Sequence, residues 1–532
     1  MEHIKYQYFI NIIRRPLFSI LASGILLSLT FPKPHIFYLA WIALIPLFNL
    51  SFRESNKKKI FLYYTISGWV FHSLTLNWLI ANTFWVGFPA FIGYQILCLG
   101  LSIFWGIYGW LIKNTEDKKP IITLLIPPAL WVGMEYLHST LFTGFGWCNL
   151  GYSQGPDKIL AQIASVGTVP LISFFIVGVN YSISYSLFSQ KHRITGLTYG
   201  FIFLSLPHII GWILLSNISA QSHVDKLKIA ILQPNFSQEI KFDPFWHQEM
   251  VRLTGEFTKV LIKDETIDLI FWPEALIMCD YKEPIITKIL QNITTNYNSY
   301  LITGSTRLDE NGNDFNSCLL ISPKGEVVEF YDKVHLAPFG EYLPLSNILP
   351  FLRSILPYDV SAGKEQKIFK IKDNVKIGPL ICFEVLFSPL ALNLKSLGAN
   401  IIAVMTNLAW FGETNAIEQE LEISRMRAIE TRLPLVHCTN TGISGFFLPT
   451  GEFFSAQTLI GKGKTLKYPP LAIQPQMGIR TRLGEIFEVP IVPNSPNQIN
   501  SHIDKVPALL GISGLILLSI MCFPIKTTQN FN

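Results

Sequence analysis

Two blocks of apolar sequence, residues 16–215 and 507–523, enclose a middle of ordinary polarity, and that division constrains the fold more than any other feature. Apolar runs of about 20 residues match the hydrocarbon thickness of a bilayer, where only a structure that satisfies its own backbone hydrogen bonds is stable. Charged residues make up 15% of the 532-residue chain and hydrophobic ones 49%, too apolar a balance for a soluble protein. Candidate spans cover residues 16–30, 35–50, 60–80, 88–112, 121–136, 166–188, 195–215 and 507–523. The first two are short, compatible with a re-entrant pair or a tight hairpin of spans around Phe31-Pro32-Lys33-Pro34, and we read them as the hairpin.

Loop charges orient these spans. Arg14-Arg15, Lys57-Lys58-Lys59, Lys113 with Lys118-Lys119, and Lys191 with Arg193 fall in alternate connections, whereas the intervening loops carry little charge. The positive-inside rule then places the N-terminus in the cytoplasm and residues 216–505 on the far side, with Lys526 back inside. Six further spans follow the first, and no small-x-small site follows Thr30, so the first span reads as an uncleaved anchor. The expected organisation is a membrane domain of about seven helices over 1–215, an outer domain over 216–505, and a last span with a short tail over 506–532. Few charges lie within the spans, which argues against an ion pathway, and a net charge of +5 in short clusters forms no nucleic-acid stripe. Thr143–Gln154 (TGFGWCNLGYSQ) is compatible with an interfacial aromatic belt or a lipid contact, and Glu135 lies close enough to a span end to reach water.

The middle segment alternates strand and helix signals. Short apolar, β-branched runs at 228–235, 267–272, 300–304, 375–381, 401–406 and 435–439 read as strands, and 245–262, 388–397 and 416–431 have helical spacing. Residues 318–322 and 327–331 form a hairpin about Lys324-Gly325, and 445–448 pairs with 453–455. This pattern predicts an α/β sandwich with helices on its outer faces.

Three polar residues end strands in this segment. Glu274 follows Trp272-Pro273, Lys333 follows Tyr331-Asp332, and Cys382 ends the run VKIGPLI, with Glu384 two residues on. Singly, each reads as a surface acid, a surface lysine and a core cysteine. Together they supply what acyl transfer through a thiol requires: a carboxylate to take the proton, a cation to steady the oxyanion, and a sulfur to attack. A free thiol with a pKa near 8.5 needs such help at neutral pH. The seven cysteines (98, 148, 279, 318, 382, 438 and 522) lack metal-type spacing, so neither a metal site, a cofactor nor a disulfide framework is expected.

The segments WPEAL (272–276), YDKVHLAPFGEYLPL (331–345) and ICFE (381–384) resemble the Glu-Lys-Cys signature of the nitrilase superfamily. Within it they resemble the membrane-embedded apolipoprotein N-acyltransferase family, as do LQPNFSQEIKFDP (232–244), WFG (410–412), RMRAIET (425–431) and TNTGISG (439–445). Two departures stand out: Leu408 where the family usually has Asp, and Phe242 where it tends to have Trp. The resemblance implies a multi-span helical membrane domain joined to a nitrilase-type αββα sandwich facing the periplasm, in the bacterial inner membrane. It implies an acyltransferase that moves a phospholipid acyl chain through a cysteine thioester to the α-amino group of a diacylglyceryl-cysteine on an apolipoprotein; separately, we expect a monomer. Carried over residue by residue, it makes Glu274 the base, Lys333 the oxyanion cation and Cys382 the nucleophile. Glu341 would orient Lys333 or the acceptor amine, and Glu384 would support the loop after the nucleophile. The apolar, proline-broken stretch 343–358 reads as a mobile lid. A membrane-tethered hydrolase with water as acceptor would use the same three residues.

Overall fold

The computed structural model describes residues 15–115, 119–189, 192–219, 225–344, 359–456, 458–459, 483–492 and 505–513. The chain divides into one unit of residues 1–83, 87–217 and 502–532 and a second of 84–86 and 218–501.

The first unit is helical: α1 (Pro16–Ser28), α2 (Ile45–Arg53), α3 (Lys57–Thr75), α4 (Phe88–Ile112), α5 (Pro120–Thr140), α6 (Ala164–Phe188) and α7 (Arg193–Ser219). Among the described residues, Phe88–Ile112, Pro120–Thr140, Leu160–Phe188 and Arg193–Ile218 are long and apolar enough to cross a membrane. At about 1.5 Å per residue each exceeds a hydrocarbon core of about 30 Å. The segments expected at 16–30 and 35–50 form shorter apolar helices, Pro16–Ser28 and Phe37–Arg53. The one expected at 60–80 is α3, which begins on its three lysines with the Asn56 side chain accepting from the Lys58 and Lys59 amides. Residues 514–523 of the expected last span lie outside the described residues, as do 345–358 of the expected lid.

Lipid offers helices no hydrophobic drive to associate, so close packing must hold them together. Between α3 and α4 it comes from glycine: Gly68 faces Trp105, Gly106 faces Phe61 and Gly109 faces Tyr64, and a Cβ at any of the three would collide with the opposing ring. Glu135 does not reach water. It is buried on α5, and its Oε1 accepts from Trp131 Nε1 at 2.9 Å and the Leu150 amide at 2.8 Å. Two inward donors outweigh the short path to a helix end.

The second unit is a sandwich of two sheets. Its strands are β1 (Lys226–Gln233), β2 (Leu269–Phe271), β3 (Tyr300–Leu308), β4 (Asp314–Ile321), β5 (Val327–Asp332), β6 (Phe369–Lys372), β7 (Val375–Ile381), β8 (Ile401–Thr406), β9 (Leu435–Thr439), β10 (Gly445–Phe447), β11 (Phe453–Ser455), β12 (Thr458–Leu459) and β13 (Leu483–Pro490). One sheet runs β12-β13-β1-β2-β3-β4-β5 and the other β11-β10-β9-β8-β7-β6. Alternation along β1 shows how the layers form. Ile229 and Ile231 join Ile377, Ile381 and Met405 between the sheets, while Ala230 and Leu232 meet an outer layer. That layer is α8 (His247–Ile262) and α9 (Pro284–Tyr297), through Met250, Val251, Ile286 and Leu290. On the other sheet, α10 (Ser388–Ser396) packs on β7 and α11 (Ala416–Thr431) on β9. Strands buried on both faces read as continuous apolar runs, as β1, β7 and β8 do. β6, β12, β13 and α9 are additions to the elements expected from sequence.

Candidate active site

The buried strand β2 delivers Glu274. Trp272, fully buried behind it, donates from Nε1 to the Thr258 hydroxyl on α8 at 2.9 Å. The chain then turns against Gly304 of β3, whose amide donates to the Pro273 carbonyl at 3.1 Å while its own carbonyl accepts from the Leu276 and Ile277 amides. A Cβ at Gly304 would lie 2.6 Å from the Glu274 Cα and collide with the Ala275 amide nitrogen. Gly304→Ala is therefore expected to displace Glu274 and lower any activity that depends on it by about a hundredfold, the scale of a 1 Å misplacement. An initial rate within threefold of wild type would show that this backbone yields elsewhere.

Lys333 follows β5 and is 1% exposed. Its amide donates to the Asn316 carbonyl on β4 at 2.9 Å, and its carbonyl accepts from the Gly363 amide at 2.8 Å. Its Nζ lies 2.8 Å from Glu341 Oε2 and 4.0 Å from Glu274 Oε1. Asn316 Nδ2 donates to both carboxylates, at 2.9 Å to Glu274 and 2.8 Å to Glu341. Glu341 Oε2 also accepts from the Ala337 amide at 2.7 Å.

Cys382 leaves β7 with φ +50°, a left-handed conformation uncommon for a residue with a Cβ. Such strain marks a position held by its surroundings, and here it leaves the cysteine partly accessible. The turn that follows, Cys382–Leu386, is anchored by Glu384. The Glu384 Oε1 accepts from Tyr331 Oη at 2.7 Å and from the Val334 and His335 amides at 2.9 and 3.1 Å; its Oε2 accepts from the Ile381 amide at 2.8 Å.

The electrostatics suit base-assisted attack. Burial pushes the Cys382 thiol well above its ordinary range; Glu274 adds to this, and Lys333 opposes it. The resting sulfur is thus a thiol. Burial also raises the Glu274 pKa, against the pull of Lys333, which makes this carboxylate a stronger base than a free one and able to accept a proton from a nearby thiol. Burial works against the Lys333 ammonium, but Glu341, Cys382 and Glu274 outweigh it and hold the lysine charged.

The structure brings Glu274, Lys333, Cys382, Glu341 and Glu384 into one site. Sequence reasoning missed Asn316, Tyr331 and Lys241. Lys241 is buried and donates from Nζ to the Glu274 carbonyl at 3.1 Å; burial lowers its pKa to about 8 against Glu274 and Cys382. Its one signal was the segment QEIKFDP, where a lysine stands in an amphipathic turn. At Leu408 the apolar side chain is buried, and the neighbouring Asn407 carries the polar contacts, donating to Gln238 Oε1 at 2.9 Å and accepting from Asn440 Nδ2 at 2.8 Å. Phe242 is partly exposed, with its ring 5.2 Å from that of Trp410. Among the described residues no group of three or more His, Cys, Asp or Glu could hold a metal ion.

Comparison with known proteins matches residues 23–182 to the N-terminal domain of apolipoprotein N-acyltransferases and residues 225–464 to the carbon-nitrogen hydrolases. The apolipoprotein N-acyltransferase of Geobacter metallireducens is 30% identical over 512 residues, which cover 91% of this chain and 92% of that one. This chain belongs to the apolipoprotein N-acyltransferase family. Relatives of the same name include those of Rickettsia prowazekii, 29% identical over 71% of this chain and 80% of its own, and Haemophilus ducreyi, 29% identical over 67% and 72%. Among solved structures, Nit3 of Saccharomyces cerevisiae, a member of branch 10 of the nitrilase superfamily, aligns at 15% identity with a TM-score of 0.38, over 58% of this chain and 97% of that one. As a member of the N-acyltransferase family, the chain joins a helical membrane domain to a nitrilase-type domain. Glu274, Lys333 and Cys382 all fall within the carbon-nitrogen hydrolase match.

Proposed function

We propose that this protein transfers an acyl chain from a phospholipid, through a thioester on Cys382, to the α-amino group of the N-terminal diacylglyceryl-cysteine of apolipoproteins. The observation that carries the reading is the meeting of a carboxylate, a charged lysine and a partly accessible thiol in one otherwise buried site, in a chain of this family.

Glu274 takes the thiol proton as Cys382 attacks the ester carbonyl, and Lys333 with a backbone N–H holds the tetrahedral oxyanion. The ester C–O bond breaks, and the lysophospholipid leaves with the proton that Glu274 held. The acceptor amine then attacks the thioester and gives a proton to Glu274. The C–S bond breaks, the amide is released, and the proton returns to sulfur. Glu341 positions Lys333 for both halves, and Glu384 holds the turn that carries Cys382.

The membrane domain answers an energetic problem. At about 0.8 kcal/mol per methylene, lifting a sixteen-carbon chain into water costs roughly 12 kcal/mol, so the site must work at the bilayer. The loop charges favour residues 216–505 lying on the side away from the cytoplasm, which in the cytoplasmic membrane is the periplasm, and we read the protein as a monomer there.

Intact-protein mass spectrometry after incubation with phospholipid alone tests the reading. The expected result is one added acyl mass, released by hydroxylamine, absent in Cys382→Ala, and discharged into an amide by a diacylated lipopeptide. Free fatty acid accumulating without an adduct would favour a hydrolase that uses water as acceptor.

A further inference from the structure

Behind the nucleophile lies a carboxylic acid that the reaction above leaves unused. β7 and β8 run parallel with Ile381 opposite Met405, so the residues one step on are Cys382 and Thr406. Glu420 of α11 reaches this place from the outer layer. It is 1% exposed, and neither of its carboxyl oxygens nor the Thr406 hydroxyl completes a hydrogen bond of good geometry. The Thr406 hydroxyl nevertheless stands close enough to both Cys382 and Glu420 to favour the ionised form of each. A buried carboxyl without a fixed partner, beside a rotatable hydroxyl and a nucleophilic sulfur, is expensive unless it acts on them.

We propose that Glu420 and Thr406 are positioning residues for Cys382: neutral Glu420 donates its proton to the Thr406 hydroxyl, which in turn aims its own proton at the sulfur and stabilises the thiolate. Ionised Glu420 reverses the relay, since it can only accept; it turns the hydroxyl away and sets a second negative charge facing the thiolate. The inference rests on the reading of Cys382 as the nucleophile.

The surroundings decide which form is present. Burial holds Glu420 protonated up to a pKa of about 8; Thr406 and Lys333 favour its ionisation, and Glu274 opposes it. The elements packed against α11 also bring Glu384 on the turn after Cys382, Lys395 on α10 and His437 on β9. Glu384 is committed to the Tyr331, Val334, His335 and Ile381 donors, and His437 Nδ1 lies 2.8 Å from the Ile443 carbonyl, its pKa lowered by burial to about 4. Lys395 is lowered to about 8 by burial and Arg432. On α11 itself, Arg427 pairs with Glu430 at 3.1 Å and Arg425 with Glu422 at 2.9 Å. Glu420 is therefore the carboxyl in this layer whose charge changes near neutral pH beside the sulfur; Lys241, also lowered to about 8, is left in place by the Glu420 and Thr406 variants.

The test is the rate of Cys382 alkylation by iodoacetamide, read at the Cys382 peptide by mass spectrometry on the full-length protein in detergent between about pH 6 and pH 10. It needs no lipid. In wild type the rise with pH is expected to flatten near pH 8 as Glu420 ionises. Glu420→Gln keeps a donor and cannot ionise, so the ratio of the rate at pH 9.5 to that at pH 7 is expected to rise about tenfold over wild type, one unit of thiol pKa. Thr406→Ser is expected to retain the wild-type profile, whereas Thr406→Val loses the inflection near pH 8. Glu420→Gln and wild-type profiles of the same shape, or a Thr406→Val protein that keeps the inflection, would overturn the proposal. A protein with the expected profile but no acyl adduct from phospholipid would leave this pairing in place and remove the acyltransferase reading instead.

Discussion

Lys333→Met is expected to slow acyl-enzyme formation by about a thousandfold and to destabilise the outer domain by about 3 kcal/mol. Two separate physical losses combine. Removing one donor from an oxyanion site costs about a hundred- to a thousandfold in rate, because preformed donors act where water is excluded. Lys333 is 1% exposed, so its ammonium acts in that setting. The second loss is charge balance. Asn316 Nδ2 bridges Glu274 and Glu341, and Lys333 lies 2.8 Å from one and 4.0 Å from the other. With the cation gone, the buried Glu274 and the partly buried Glu341 share the neutral Asn316 donor without a countercharge, and breaking a buried ion pair by deleting one partner costs about 3–5 kcal/mol.

Part of that cost is avoided by protonating a carboxyl, and this damages the reaction further. The Glu274 pKa is already raised by burial and lowered by Lys333; deleting Lys333 raises it again, and a protonated Glu274 cannot accept the thiol proton. Lys333→Arg is expected to fail as well, since a planar fork cannot take the place of a compact ammonium in a space this closed. Initial rates of the acyl adduct and thermal melting in detergent measure the two losses separately. A Lys333→Met protein that acylates at a tenth of the wild-type rate or faster would rule out the oxyanion role.

How much of this was legible in the sequence varies with the kind of signal. Glu274, Lys333 and Cys382 each end a strand whose apolar run is easy to see, in β2, β5 and β7. Their meeting was not legible from pattern alone, because β2 and β5 lie in one sheet and β7 in the other; it came from the motifs around them. Asn316 was missed because β4 begins at Asp314 with Asp-Phe-Asn-Ser, a polar start that hides the strand until Cys318. β6 is four residues long with two exposed lysines, and β13 pairs with β1 across more than two hundred residues, so neither has a local signature of its partner. α9 was missed although it carries a local signal: Pro284 opens it, and Ile286, Leu290 and Ile293 lie on one face. Lys241 and Glu420 were hidden for another reason. Charged residues on amphipathic turns are usually solvated, and only the fold shows these two turned inward.

Glu384→Ala is expected to cost about 4 kcal/mol of stability and to slow acyl-enzyme formation by about a hundredfold, although this carboxylate takes no part in proton transfer. Its two oxygens accept four hydrogen bonds from three places: Tyr331 Oη at the end of β5, the Val334 and His335 amides just after Lys333, and the Ile381 amide just before Cys382. Each donor left buried and unmatched costs about 1–3 kcal/mol, with some relief where the chain can relax. That relaxation is what harms catalysis, because the segments freed are those that set Lys333 against Cys382. Glu384→Gln separates the two bonding sides. A glutamine oxygen can still serve the three donors at Oε1, while its amide nitrogen meets the Ile381 N–H donor to donor, so a loss of about 2 kcal/mol is expected. Tyr331→Phe removes one donor along with its need for a partner and is expected to cost only about 1 kcal/mol. Melting of the three variants in detergent, with acyl-adduct rates on the same preparations, checks the order Ala, then Gln, then Phe. If Glu384→Ala melts with wild type yet fails to acylate, the carboxylate belongs to the chemistry. If stability and rate fall together in that order, Glu384 acts as the tie that holds the base of the lysine loop to the base of the nucleophile.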